Sequence, residues 1–226
     1  LLRRGASDRE IEEKFPDRQA RPQRRKSDLE SLEHLKDVAD EFKLPRIIYI
    51  NRMNRERADF YKALESIESK LKKKSTPVFL PIGKEDAFKG IVDLINMKAY
   101  IFDDPKGSYK VADIPADMAD DVKKHRETMV EDIAESDETL MDRYLDAGEL
   151  SVEDLKTGLR KGVISGGLVP VICGSASRNI GITPLMDIIV DALPSPIDRG
   201  PVSGKKPGKD EIEERKPEES SPFSAI

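Results

Sequence analysis

The chain has 226 residues and a mass of 25.4 kDa, enough for one ordinary domain or two small ones with a sizeable core. Its single cysteine, Cys173, excludes a disulfide scaffold, and no stretch approaches the roughly eighteen apolar residues of a membrane-spanning helix. Charged residues make up 37% of the sequence, and the net charge of −5 argues against a general nucleic-acid-binding protein, because such proteins present a basic surface. Without a recognisable targeting segment, the composition predicts a helix-rich protein of the cytoplasm.

The first residues predict no packed structure. Residues 1–27 combine two prolines, many charges and little apolar periodicity, so we expect them to be disordered. Their densest basic stretch, at residues 18–26, is as compatible with a disordered arm as with a binding site. From Ser27, a plausible helix N-cap, apolar residues recur at helical spacing as far as Phe42.

A predicted strand at residues 46–50 ends directly in the polar loop 51–54, and a predicted helix at residues 57–73 follows. The strand is a short run of apolar, mostly β-branched residues with no room for a helix, which indicates a buried strand. In open α/β sheets, ligands bind at the carboxyl ends of the strands. The loop is therefore a candidate ligand site, although Asn is also common wherever a backbone simply turns.

The middle of the chain predicts a different architecture. Apolar runs at residues 77–82, 90–96 and 97–102 predict three strands without intervening helices, and a turn at residues 104–107 follows them. Three helices are then expected in series, the third N-capped by Ser151. Their apolar markers are Met118, Val122, Met129 and Ile133, then Leu140, Tyr144 and Leu145, then Val152, Leu155 and Leu159.

The pattern of strand, loop and helix then returns. Residues 168–173 predict a second buried strand, which opens into a small polar loop at residues 174–177. Thr183 as N-cap and Pro184 at the first helical position predict the next helix, which Pro194 stops. Two polar loops at strand ends, each followed by a helix, permit a nucleotide site.

Four stretches in order resemble bacterial translation elongation factor G: PRIIYINRMNRERADF, GKEDAFKGIVDLINMKAYIF, AESDETLMDRYLDAGELS and VPVICGSASRNIGITPLMDIIVDALPSP. The resemblance covers about residues 32–196 and the final SPFSAI. It implies an α/β fold, with an incomplete P-loop GTPase-type sheet and an inserted α+β subdomain that is often called G-prime. The Asn-Lys-x-Asp and Ser-Ala motifs of that family lie on either side of the insertion.

The resemblance also implies how the chain is divided. Residues 28–74 and 167–198 would be parts of the GTPase domain, and residues 75–166 the inserted subdomain, with a mixed sheet of three strands and a pack of three helices. Residues 199–226 would be a linker and the start of a following β-domain, while residues 1–27 do not resemble the family and stay unassigned.

The resemblance assigns the two strand-end loops to the base of GTP or GDP. It implies that Asn51 braces its loop and bonds the edge of the base, and that Arg52, where the family has Lys, lies along the purine face. Ser175, Ala176 and Ser177 would supply backbone and hydroxyl contacts, with the Ala176 N–H reaching the guanine carbonyl.

Asn54 departs from the family, which has Asp at this position. A carboxylate offers only acceptors to the two N–H donors of the guanine edge, whereas an amide brings a donor group that would face one of them. Asn54 is therefore expected to weaken GTP binding and could favour xanthine, whose ring presents an acceptor there. Loss of nucleotide binding, or an error in the sequence at this position, would be simpler explanations.

The phosphate-binding parts of a GTPase are absent from this sequence. No G-x-x-x-x-G-K-[ST] loop occurs, and its nearest imitation, at residues 200–206, lies in the predicted linker. The D-x-x-G at residues 104–107 falls at a strand turn, where we do not expect it to touch a nucleotide. The Mg²⁺ ligands are thus not in this chain, and alone it should not hydrolyse GTP.

The resemblance implies the ribosome as partner, including its stalk protein at the inserted subdomain and ribosomal RNA through the full-length factor, with no membrane contact. The acidic candidates for the stalk contact are Glu127, Glu131, Asp132 and Glu135. A solvated helix face is the simpler explanation for them. His34 and His125 lie far apart in sequence and suggest no metal site, and Cys173 fits a small core residue.

Two functions follow from the sequence. The chain is expected to be a fragment of a ribosomal translocation factor, contributing base recognition and a ribosome contact to GTP hydrolysis carried out with residues outside it. The alternative is a stand-alone module that binds the ribosome or its stalk and has lost nucleotide binding, which Asn54 and the missing phosphate loop favour. The apparent start of a strand at residues 222–226 favours the fragment.

Overall fold

The computed structural model describes residues 28–71, 74–205 and 212–218, so the predictions for residues 1–27 and 222–226 lie outside it. In chain order the helices are α1 (Asp28–Glu41), α2 (Phe60–Leu71), α3 (Ala119–Ala134), α4 (Glu138–Ala147), α5 (Val152–Ile164), α6 (Ile182–Ala192) and α7 (Pro196–Arg199). The strands are β1 (Ile48–Ile50), β2 (Lys74–Pro77), β3 (Phe79–Ile82), β4 (Gly90–Asp93), β5 (Lys98–Phe102), β6 (Tyr109–Ala112), β7 (Leu168–Cys173), β8 (Val202–Lys205) and β9 (Ile212–Arg215). Short 3-10 helices lie at Glu85–Ala87, Ala116–Met118 and Ala176–Arg178.

A parallel sheet with the order β1-β7-β2 carries the two predicted units of strand, loop and helix. Ile48 on β1 pairs with Val171 on β7, and Lys74 on β2 pairs with Leu168. Every residue of β7 is buried, as predicted, because strands flank it on both sides. The strand predicted at residues 46–50 is present as β1, but the prediction that it is buried is wrong. β1 is half-buried because, among the described residues, it pairs with a strand on one side only.

The predicted strand at residues 77–82 is divided between two sheets at Val78. Before this residue β2 belongs to the parallel sheet, and after it β3 begins the second sheet. Val78 is fully buried; its N–H donates to Val171 O (3.0 Å) and its carbonyl accepts from Leu94 N (3.0 Å). The apolar run does not reveal the division because both sheets bury the same residue types.

The second sheet, with the order β3-β4-β5-β6, is antiparallel throughout rather than mixed as expected. Strands β4 and β5 confirm the runs predicted there, and Gly107 N donates to Asp104 O (3.0 Å) in the predicted turn. The sequence did not predict β6, an edge strand whose central residues Lys110 and Val111 are exposed and leave no apolar run.

Helices α3, α4 and α5 confirm the predicted helical series, and α3 packs against β2 and α5 against β7 of the parallel sheet. The Ser151 hydroxyl caps α5 as predicted, accepting from Asp154 N (3.1 Å), and the Asp137 carboxylate caps α4. A Cβ at Gly158 of α5 would lie 2.5 Å from Ile133 Cγ2, so this glycine lets α5 approach α3 closely.

The helix after β7 begins earlier than predicted. α6 starts at Ile182 behind Gly181 (φ 79°), so Thr183 and Pro184 lie inside its first turn and the predicted N-cap is wrong. A Cβ at Gly181 would lie 2.7 Å from Cys173 O, so close approach and backbone conformation both require glycine. The segment predicted as a linker, residues 199–226, contains the hairpin β8–β9, and α7 ends where this segment begins.

Helix α2 contacts α3 of the inserted subdomain through an aromatic and acidic cluster. The Tyr61 hydroxyl donates to the Asp121 carboxylate, and its ring stacks on His125 with centroids 5.7 Å apart. His125 Nε2 lies 3.4 Å from Asp121 Oδ1. Burial lowers the pKa of His125, and Lys124 adds to this effect while Asp121 and Glu68 oppose it.

This cluster predicts a loss of stability at mildly acidic pH. Because the folded-state pKa of His125 is lowered, the unfolded chain binds the proton more readily, and the free energy of unfolding falls as pH drops below about 6.5. Urea unfolding at pH values from about 7.5 to 5.5 measures this slope. His125→Gln should flatten it, whereas His34→Gln at an exposed position should leave it unchanged; equal slopes in both variants would contradict the assignment.

The described ranges contain no helix both long and apolar enough to cross a bilayer. They also contain no group of three or more His, Cys, Asp or Glu side chains arranged to hold a metal ion. Cys173 is completely buried at the end of β7, where burial raises the pKa of its thiol. It is the small core residue that the sequence predicted.

Candidate functional site

The two predicted polar loops meet at the carboxyl edge of the parallel sheet. Gly174 N donates to Ile50 O (3.0 Å), continuing the pairing of β1 with β7, and Met53 N donates to Gly174 O (3.1 Å). Loops 51–57 and 174–181 are thereby fixed side by side, as expected for adjacent parallel strands.

Asn51 joins the two loops through its side chain. Its Oδ1 accepts from Arg52 N (2.7 Å) and from Ala176 N (3.0 Å) across the site. Arg52 is exposed and has a left-handed backbone (φ 65°). These hydrogen bonds connect the two loops, and in this structure the Ala176 N–H donates to Asn51. The roles of Asn51 and Ala176 in binding a base stay predictions.

Asn54 forms the second side-chain link. Its Oδ1 accepts from the Ser175 hydroxyl (2.7 Å), and Ser175 Oγ lies 3.4 Å from Ser177 Oγ. Ser175 is fully buried, and its backbone exchanges hydrogen bonds with that of Ile180 (2.9 and 3.1 Å), which closes the loop on itself. The structure thus brings together all six predicted base-site residues: Asn51, Arg52, Asn54, Ser175, Ala176 and Ser177.

Tyr49 lies beneath these loops and was missed by the sequence analysis. Its hydroxyl is buried, has no hydrogen-bond partner among the described residues, and lies 2.4 Å from the position that a Cβ on Gly174 would take. Burial raises the pKa of Tyr49 to about 12, so the hydroxyl stays a protonated donor. The only sequence signal was an aromatic residue with a polar tip in a short apolar strand.

Removal of this hydroxyl should stabilise the protein. We expect Tyr49→Phe to raise the free energy of unfolding by about 1 kcal/mol, because an unsatisfied buried hydroxyl costs roughly 1–3 kcal/mol. Tyr100→Phe is the matched control with the opposite sign, since the Tyr100 hydroxyl donates to the buried Asp93 carboxylate (2.8 Å). Urea denaturation compares the two variants, and a destabilised Tyr49→Phe would contradict the expectation.

The inserted subdomain reaches both loops, which the sequence did not indicate. Arg178 donates to Asp86, Arg57 N donates to the Glu85 carboxylate (2.8 Å), and Asn179 Nδ2 donates to Pro105 O (2.7 Å). The turn at residues 104–107 therefore lies against loop 174–181.

The four acidic candidates for a partner contact share α3 and its C-terminal end but differ in their surroundings. Glu127 and Glu131 are exposed, the latter accepting from the Tyr144 hydroxyl (3.4 Å). Asp132 and Glu135 both pair with the ammonium of Lys74, and Asp132 also accepts from the Thr76 hydroxyl (2.6 Å). This acidic surface is thus partly neutralised by β2.

Comparison with known proteins decides the family. The sequence model described as "Elongation factor Tu GTP binding domain" matches residues 28–195. The chain belongs to this GTP-binding domain family. Two curated proteins named Elongation factor G, from Thermotoga sp. (strain RQ2) and Thermotoga maritima, are each 44% identical to it over 189 residues.

The chain corresponds to one part of these larger proteins. The matches cover 83% of this chain but 27% of each Elongation factor G, so the chain spans about a quarter of their length. A crystal structure from Thermus thermophilus matches with a TM-score of 0.67 and 32% identity, over 75% of this chain and 26% of that one. The resemblance to elongation factor G and the predicted α/β GTPase-type fold are confirmed; the base-site and partner residues stay predictions.

Proposed function

We propose that this chain supplies the base-recognition part, and a ribosome contact, of a cytoplasmic translation factor that hydrolyses GTP-type nucleotides. Two hydrogen bonds carry the proposal: Asn51 Oδ1 accepts from Ala176 N, and Asn54 Oδ1 accepts from Ser175 Oγ. They bring residues more than 120 positions apart into one polar site at the carboxyl edge of parallel strands. Membership of a GTP-binding domain family supports a purine nucleotide as the ligand of this site.

The polar groups at Asn54 fit xanthine better than guanine. Asn54 Oδ1 accepts from Ser175 (2.7 Å), and its other lone pair can accept the ring N–H that both bases carry. The amide nitrogen has only donors, which face the 2-amino group of guanine but can donate to the 2-carbonyl of xanthine. One mismatched buried pair costs roughly 1–3 kcal/mol, so the proposed site binds guanine weakly and prefers the 2-oxo purine.

Arg52 and Asn51 would complete recognition of the base. The exposed guanidinium of Arg52 can cover the purine face, where planar cations stack well. Asn51 would hold the Ala176 loop against the base, because its Oδ1 already ties the two loops together. Phosphate binding, Mg²⁺ coordination and hydrolysis would depend on residues outside this chain, whose sequence has no G-x-x-x-x-G-K-[ST] loop.

The ribosome contact is proposed for the acidic side of α3, with the stalk protein as partner and ribosomal RNA reached through the rest of the factor. Glu127 and Glu131 are the exposed carboxylates there, whereas Asp132 and Glu135 pair with Lys74. A basic partner surface would therefore engage the first pair. Glu127→Lys with Glu131→Lys should weaken binding to isolated stalk protein; unchanged binding would remove this part of the proposal.

Titration of the isotope-labelled chain with nucleosides tests the base site without needing phosphate contacts. Xanthosine should shift the backbone NMR signals of residues 51–54 and 175–177 at lower concentration than guanosine. Asn51→Ala should abolish these shifts, while Ser108→Ala, at an exposed position of the inserted subdomain, should preserve them. No shift with any purine nucleoside would overturn the proposal.

The second candidate function is an interaction module that binds the ribosome or its stalk without a nucleotide. The amide at position 54 favours it, because the donor mismatch removes one guanine contact. Binding of the chain to ribosomes, together with the absence of any purine-induced shift, would select this function.

A further inference from the structure

Two adjacent acidic residues of the inserted subdomain contact both base-site loops. Glu85 Oε1 accepts from the backbone N–H of Arg57 (2.8 Å) in the first loop. Asp86 accepts from Arg178 in the second loop, through its carbonyl to Nη1 (3.2 Å) and through Oδ1 to Nη2 (3.0 Å). Residues 85 and 86 thus connect loops that lie more than 115 positions apart in the sequence.

The backbone around Glu85 and Asp86 contains two residues with positive φ angles. Glu85 has a left-handed conformation (φ 51°), which is uncommon for a residue with a side chain. Gly83 is also left-handed (φ 82°), and a Cβ there would lie 2.1 Å from Ala87 O. The tight turn presents the two carboxylates to different loops, and strained backbone of this kind persists where surrounding contacts hold it.

A second contact holds the far end of the same loop. Asn179 Nδ2 donates to Pro105 O (2.7 Å), and a Cβ on Gly107 would lie 3.2 Å from Asn179 Cβ. Asn179 is itself left-handed (φ 53°). The inserted subdomain therefore contacts loop 174–181 from two of its own turns.

We infer that Glu85 and Asp86 are positioning residues that hold the two base-site loops at a fixed separation. This inference rests on the base site proposed above. A purine would have to fit between Arg52, Asn54 and Ala176. If the two loops moved apart, the base would lose some of its contacts with these residues. Fixing the loops in advance lowers the ordering cost of binding, although neither acidic side chain touches the base.

The arrangement also links the inserted subdomain to base affinity. A partner that displaces residues 85 and 86 would loosen both loops together, and a bound base would in turn resist that displacement, because such coupling is reciprocal.

Hydrogen exchange of the loop tests the inference without a ligand. In the chain carrying Glu85→Gln and Asp86→Asn, the amides of residues 176–180 should exchange about three- to tenfold faster, because both contacts lose the negative charge that strengthens them. Asp113→Asn is the control, since it removes a 98% exposed carboxylate of the same subdomain. The unfolding midpoint and the exchange of α5 amides should stay unchanged. Equal loop exchange in wild type and double variant would overturn the inference.

A double-mutant cycle identifies the ion pair itself. Asp86→Asn and Arg178→Gln should each speed loop exchange, and the two together should add little to Arg178→Gln alone, because both changes remove the charge pair between these side chains. Additive effects would contradict a shared role.

Nucleoside titration of these variants separates the inference from the proposed function. Xanthosine and guanosine should both bind about three- to tenfold more weakly to the Glu85→Gln, Asp86→Asn chain, with their affinity ratio unchanged. A changed ratio would mean that the acidic pair contacts the base, which would overturn a positioning role. If wild type binds no nucleoside, the proposed function fails, and the exchange results still decide whether residues 85 and 86 hold the loops.

Discussion

Asn54→Asp should move the preference of the proposed base site from xanthosine to guanosine, changing the ratio of the two affinities by about 100-fold or more. For guanine, the substitution replaces an N–H donor that faces the 2-amino group with an oxygen that can accept from it. For xanthine, the substitution removes the N–H that could donate to the 2-carbonyl. Each of these two changes is worth roughly 1–3 kcal/mol, and sites built on such bonds discriminate strongly. The Ser175 hydroxyl can donate to a carboxylate as it does to the Asn54 amide oxygen (2.7 Å), so the loop should keep its shape.

Competition between the two nucleosides, followed by NMR or calorimetry, measures this change. Thr157→Asp adds the same charge at an exposed position of α5 and should leave the affinity ratio unchanged, which separates base recognition from net charge. An Asn54→Asp chain that keeps the wild-type ratio would mean that residue 54 does not face the base. Tighter binding of both nucleosides would point to a change in the loop instead.

The sequence predicts much of the fold because buried strands and amphipathic helices leave local signals. The strand at residues 168–173 is buried throughout and was predicted in full. Ser151 identifies the start of α5 because its hydroxyl accepts a hydrogen bond from the backbone N–H of Asp154. Both polar loops were predicted because polar residues follow apolar strands, whereas the proposed roles of Asn51 and Asn54 come from the family resemblance.

The remaining features depend on distant parts of the chain. The change of sheet at Val78 falls inside an apolar run, and the start of α6 is set by the close approach of Gly181 to Cys173 rather than by a polar N-cap. The contacts of Glu85 and Asp86 join segments far apart in sequence. No local period or spacing encodes such contacts, so only the folded arrangement reveals them.

Gly174→Ala should destabilise the protein by about 2–3 kcal/mol and abolish nucleoside binding. The added Cβ would lie 2.4 Å from the Tyr49 hydroxyl and 2.5 Å from Ile180 O, distances that force the loop or the tyrosine to move. Because Ile180 O accepts from Ser175 N (2.9 Å), movement of this carbonyl disrupts the loop that carries Ser175 and Ala176. Urea unfolding and the nucleoside titration together measure both effects.

Gly167→Ala is the matched control, since the same change at the other end of β7 places the Cβ no closer than 3.5 Å to its neighbours. It should leave stability within about 0.5 kcal/mol of wild type. Adding Tyr49→Phe to Gly174→Ala should raise the free energy of unfolding by more than the about 1 kcal/mol that Tyr49→Phe adds alone, because it removes the hydroxyl contact but leaves the clash with Ile180 O. Full restoration would assign the clash to the tyrosine alone, whereas equal effects of both alanine substitutions would show that Gly174 is not required for the close approach of loop and strand.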